Sequence, residues 1–181
     1  QFALPTALDQ LRSLREPPEE PRAVILAATD PANPYGSTIK WPNAAGSPEQ
    51  DPAYGSQESG PVIGRGPTRT AGALVVLVDG FLAAYLRRGE RELLLFAPEQ
   101  EPQRSRLIRA AARALAELSA PRGMFLSEID GPPATTHRAA PLFVEAGFAM
   151  TAMGLQRRPV PGLRAYANPA PETESQEPDG T

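Results

Sequence analysis

The chain has 181 residues, 41% hydrophobic and 22% charged, a balance that fits a globular core with open connections. It has no cysteine and one histidine, His137, which excludes disulfides, thiolate zinc sites and any site built on two imidazoles. The formal net charge is −3, and the stretch from Glu172 to Asp179 carries acids and no base. The remainder is therefore near neutral, which excludes a free-standing, strongly basic nucleic-acid binder.

Lys40 is the sole lysine among 18 basic residues, a bias that fits a GC-rich genome. The 22 prolines cluster at 17–21, 31–67 and 159–178, so the excess belongs to connections and tail. No basic segment followed by an apolar run opens the chain, so no secretory signal is expected. The opening at Gln1, without methionine, reads as a piece of something longer. A chain without disulfides is compatible with the cytoplasm.

In chain order, residues 4–16 place Leu4, Leu8, Leu11 and Leu14 on one face of a predicted helix. Residues 21–30, "PRAVILAATD", predict a first strand. Residues 42–70 are a long loop rich in Pro, Gly and Ser. Loops of that length within a compact domain are functional or disordered. The densest apolar stretch is 71–96, "AGALVVLVDGFLAAYLRRGERELLLF". A membrane helix needs roughly 20 uninterrupted apolar residues. Asp79, Arg87, Arg88, Glu90, Arg91 and Glu92 break the run too often for that.

Asp79-Gly80 between two apolar runs predicts a two-residue hairpin turn joining Leu74–Val78 to Phe81–Leu86. Arg87 to Glu90 then turns the chain onto residues 91–96, giving an antiparallel meander. Val75, Val76, Leu77 and Val78 run consecutively, so both faces of that sheet should be covered.

Residues 104–119 predict an amphipathic helix, with Leu107, Ile108, Ala111, Leu115 and Leu118 on one stripe and Pro121 and Gly123 stopping it. Residues 123–129 read as a strand and "GPP" at 131–133 as a break. Residues 140–148 read as a short helix with Gly147 at its C-cap. Residues 149–158 read as a final strand, and 159–181 as a disordered tail. The class expected is α+β: an antiparallel, barrel-like sheet of about six strands covered by two helices.

Five segments carry a family resemblance: "FALPTALDQLRSLRE", "VILAATDPANPYGSTIKWP", the 71–96 stretch, the helix at 104–119, and "APLFVEAGFAMTAMGLQRRP". In this order, over about residues 2–159, they resemble the C-terminal end of the large helicase-related (Lhr) family. "AATDPANPYG…WP" is the most specific of them. The chain departs from the pattern in a longer loop at 43–70 and in its acidic tail.

The resemblance implies a piece of a bacterial ATP-dependent DNA helicase with a large C-terminal extension. That extension is built of winged-helix units and a β-barrel-like module, and resembles DNA glycosylases of the AlkZ type. Residues 1–20 would end a preceding winged-helix region, 21–158 would be the terminal module, and 159–181 its tail. The implied partners are DNA in single-stranded form and the winged-helix domains of the same chain, with self-association as a further option and no membrane.

ATP and Mg would belong to the parent helicase and no cofactor to this segment. No G-x-x-x-x-G-K-[ST] is present, and Lys40 is followed by Trp41. A base-excising site needs an acid beside a flipped base. The acids available at turns are Asp30, Asp79 and Asp130, and each reads first as a turn residue. No catalytic residue carries over from the family. Tyr35, Trp41, Arg65 and Arg69 combine stacking rings with cations on neighbouring loops, as single-strand binding requires. The plainer alternative is that Tyr35 and Trp41 pack back onto the sheet.

Three functions follow: an accessory nucleic-acid-binding module of a repair helicase, part of a uracil glycosylase site, or a structural or oligomerisation cap.

Overall fold

The computed structural model describes Pro18, residues 20–42 and residues 66–162. The predicted helix at 4–16, Arg65, most of the long loop and most of the tail lie outside the described residues. So do most of the residues assigned to the winged-helix end.

The described chain forms eight strands and two helices. They are β1 (Ala23–Ala27), β2 (Leu74–Val78), β3 (Phe81–Leu86), β4 (Glu92–Leu95), α1 (Gln103–Leu118), β5 (Met124–Leu126), β6 (Glu128–Ile129), α2 (Ala140–Glu145), β7 (Ala149–Thr151) and β8 (Gly154–Arg157).

The hairpin turn forms where Asp-Gly predicts it. Asp79 and Gly80 take φ of 50° and 84°, the positive pair a type I′ turn requires. Asp79 does a second job: its Oδ1 accepts the backbone N–H of Arg22 at 2.9 Å, tying the turn to the start of β1. β1 pairs antiparallel with β2, β2 with β3, and β3 with β4. Between β2 and β3 the register slips, from Val76 opposite Ala84 to Leu77 opposite Leu82, leaving Ala83 as a bulge.

Burial on both faces follows from period-2 alternation. Val75 and Val76 are both fully buried, yet they belong to different clusters. On one face Val76, Val78, Leu86, Leu93 and Leu95 pack under α1 residues Ile108, Ala111 and Leu115, with Phe143, Phe148 and Leu155 completing the core. Burying each of these large side chains contributes about 1.5–3 kcal/mol. Phe143 and Phe148 meet edge to face at 5.6 Å. On the other face Val75, Leu82, Tyr85 and Leu94 are covered by the loop after β1, through Tyr35 and Trp41.

The barrel does not form. The strands make two sheets, ordered β1-β2-β3-β4-β6 and β5-β8-β7. The larger sheet ends on β6, a two-residue strand parallel to β4, and never returns to β1. Helix α1 against one face and a folded loop against the other do the covering that closure would have done.

Two predicted strands each divide. Residues 123–129 split at Ser127, where the chain leaves the small sheet for the large one. There Ser127 donates to the Arg91 carbonyl through both its backbone N–H (2.8 Å) and its hydroxyl (3.1 Å). Residues 149–158 fold into a hairpin, β7 to β8, with Ala152 and Met153 at the turn.

Candidate nucleic-acid interface

The loop from Ala28 to Pro42 brings two of the sequence-predicted site residues together and gives a third a different task. It opens with an Asx turn, in which Asp30 Oδ1 accepts the N–H of Ala32 at 2.8 Å. Asn33 follows, fully buried. Its amide donates to Ala28 O at 2.9 Å, and its carbonyl oxygen accepts the N–H of Tyr35 at 3.1 Å. A buried amide costs free energy unless paired, so these bonds fix the path of the loop.

Tyr35 reaches back to the sheet, where its phenol oxygen accepts the backbone N–H of Leu82 at 3.1 Å, beside the bulge. Trp41 stacks near-parallel on Tyr35, with centroids 6.3 Å apart and planes at 23°. It meets Tyr85 edge-on at 5.7 Å and 74°. Tyr85 is buried, and its hydroxyl donates to Thr68 O at 3.0 Å. Tyr35 and Trp41 are half-buried, while Ile39 and Lys40 beside them are exposed. The rings therefore pack on the sheet and still present surface.

Arg69 is bound from within. Its Nη1 donates to the carbonyls of Asn33 (2.8 Å) and Tyr35 (3.2 Å). Its Nη2 donates to those of Thr29 (3.1 Å) and Asp30 (3.0 Å). A guanidinium has five N–H groups, and four are spent on the loop's own backbone. Arg69 is a clamp on residues 29–35 and not a cation held out for phosphate. Arg65 lies outside the described residues.

Each candidate acid has a structural partner. Asp30 and Asp79 hold turns, as above. Asp130 sits at φ 56° on the loop after β6. Its Oδ1 accepts the N–H of Leu95 at 2.7 Å, and its Oδ2 lies 3.3 Å from His137 Nε2. Nδ1 of His137 accepts the N–H of Ala139 at 3.2 Å, which leaves Nε2 as the ring nitrogen that faces Asp130. The pair staples the loop 130–139 to β4. It also lines a small cleft with Leu95, Ala97, Arg104, Ile108 and Arg138, with room for about one water molecule. Arg104 is one of the residues lining that cleft, and its buried Nε has no protein hydrogen-bond partner. Among the described residues no group of three His, Cys, Asp or Glu is placed to hold a metal ion.

No family model matches the chain. A curated protein of Mycolicibacterium smegmatis named "Lhr helicase/ probable uracil glycosylase" is 38% identical over 172 residues, covering 87% of this chain and 10% of its own length. One of Escherichia coli K12 named "Lhr helicase/uracil glycosylase" is 33% identical over 162 residues, covering 86% of this chain and 9% of its own length. The chain matches a segment of Lhr proteins over most of its own length.

It spans about a tenth of the length of these Lhr relatives, whose names join a helicase to a uracil glycosylase. No helix among the described residues is long and apolar enough to cross a membrane. Within this Lhr segment the loop's geometry depends on two residues beyond the predicted four. Asn33 holds the backbone, and Gly36, at φ 76°, makes room for the indole. An Asn directly before Pro34 in a Pro-rich loop and a Gly five residues before a Trp are the sequence signals that could have found them.

Proposed function

We propose that this chain is a nucleic-acid-binding module of an Lhr-type helicase, and that single-stranded DNA docks on the face formed by Tyr35 and Trp41. The observation that carries the reading is the half-exposed Trp41, stacked on Tyr35 and held against the sheet beside Lys40. A base stacked on such a ring contributes about 1–3 kcal/mol, whatever its identity. Lys40 supplies a phosphate contact next to the ring, and Arg65 is a further candidate cation. A near-neutral module with one aromatic platform suits an accessory contact within a larger chain, where the helicase supplies ATP-driven movement with its Mg and the winged-helix regions supply neighbouring contacts. A DNA-processing role fits a cytoplasmic location.

The test is fluorescence anisotropy of a labelled single-stranded oligonucleotide at several salt concentrations. Trp41→Ala should weaken binding on the order of tenfold and leave the salt slope nearly unchanged. Lys40→Ala should lower the slope by about one, as removal of a single phosphate-binding cation requires. Unchanged affinity and slope in both variants would favour a structural or oligomerisation cap instead.

A further inference from the structure

We infer that Arg69 is a positioning residue that presents the Tyr35–Trp41 face to a single-stranded nucleic acid, an inference that rests on the reading of that face given above. Its guanidinium gathers four carbonyls, of Thr29, Asp30, Asn33 and Tyr35, from one loop. Those carbonyls lie outside the β1–β2 ladder, because the loop turns away from β2 after the Ala28 N–H bonds to Ala73 O. A planar fork of fixed donors satisfies them together, and a lysine ammonium has neither the reach nor the geometry to do so.

The clamp acts one bond away from the aromatic face. Tyr35 O is held by Arg69 Nη1, and the same residue's phenol caps Leu82 N–H and its ring supports Trp41. Releasing the clamp frees the residue on which the indole rests. Arg69 therefore governs affinity through ring placement and contributes nothing through its charge. That division gives the idea a sharp test, since a phosphate-binding arginine behaves oppositely.

The experiment compares the full chain with its Arg69→Lys and Arg69→Ala variants. Each is titrated with a fluorescein-labelled oligothymidylate across a salt series, and each is followed by amide hydrogen exchange. Both variants are expected to lose about tenfold in affinity, the worth of one stacked base, with the salt slope unchanged and Lys giving no rescue. The Leu82 amide should lose protection in both while the ladder of β2 and β3 keeps its own.

Rescue by Lys, or a slope lowered by about one in Arg69→Ala, identifies a phosphate contact and overturns the positioning role. Protection lost throughout the sheet makes Arg69 a residue of the whole fold and overturns it as well. Binding by the wild-type chain with Leu82 protection unchanged in the variants overturns Arg69 alone. A wild-type chain that ignores the oligonucleotide overturns the reading of the face, and the positioning role with it.

Discussion

Gly36 lies against the indole of Trp41 so closely that a Cβ built on it comes within 2.4 Å of Nε1 and 2.5 Å of Cε2. The backbone there is also at φ 76°, where a side chain is strained. Ring placement and loop conformation thus depend on the same missing atom. Gly36→Ala should push the indole off its seat and destabilise the chain by about 1–3 kcal/mol. Thermal unfolding and a red-shifted tryptophan emission would check it. An unmoved emission with unchanged stability would mean that the ring is not seated on Gly36.

A second glycine serves the small sheet. At Gly154 an added Cβ would lie 2.2 Å from the backbone oxygen of Leu126 on β5, which cannot swing aside as a flexible side chain could. Gly154→Ala should therefore cost roughly 3 kcal/mol. Gly80→Ala, whose Cβ meets nothing within 4 Å, carries only the cost of its turn conformation and should be the milder change. Equal melting points for the two variants would contradict the close approach.

Asp130 separates stapling from catalysis. Its Oδ1 is the acceptor of Leu95 N–H, and the neighbouring oxygen faces His137. Asp130→Ala leaves a partly buried N–H without that acceptor and should cost about 1–3 kcal/mol. Asp130→Asn retains an acceptor and should cost less. Both should leave DNA binding at the Trp41 face intact. A folded Asp130→Asn chain that lost base release from uracil-containing DNA, where the wild type showed it, would make this carboxylate a candidate catalytic acid again.

Local rules made much of this fold legible. Asp79-Gly80 announced the hairpin, because few residue pairs take two positive φ angles readily. The run Val75 to Val78 announced burial on both faces, and the stripe through Ile108, Ala111 and Leu115 announced the covering helix. What failed was non-local. Ser127 divides a strand because the carbonyl it bonds belongs to Arg91, distant in sequence, and nothing in the sequence around it marks that exchange of sheets. Closure failed because β6 has only two residues beside β4, so the sheet ends there.

The arrangement of the loop after β1 was legible only in part. Tyr35 and Trp41 meet as rings on a loop should. Arg69 read as a free cation because the carbonyls that occupy it are backbone atoms, common to every residue and invisible to any motif. The strongest hydrogen-bonding feature of the loop was for that reason the least readable.

Trp41 is the only tryptophan in the chain, so its emission reports on one ring alone. Titrating the chain with unlabelled single-stranded oligonucleotide while following that emission tests the binding face directly. A base stacked on the indole should quench it in a saturable way, at the same concentrations that change the anisotropy of a labelled strand. Binding seen by anisotropy with the Trp41 emission unchanged would place the DNA elsewhere and contradict the account.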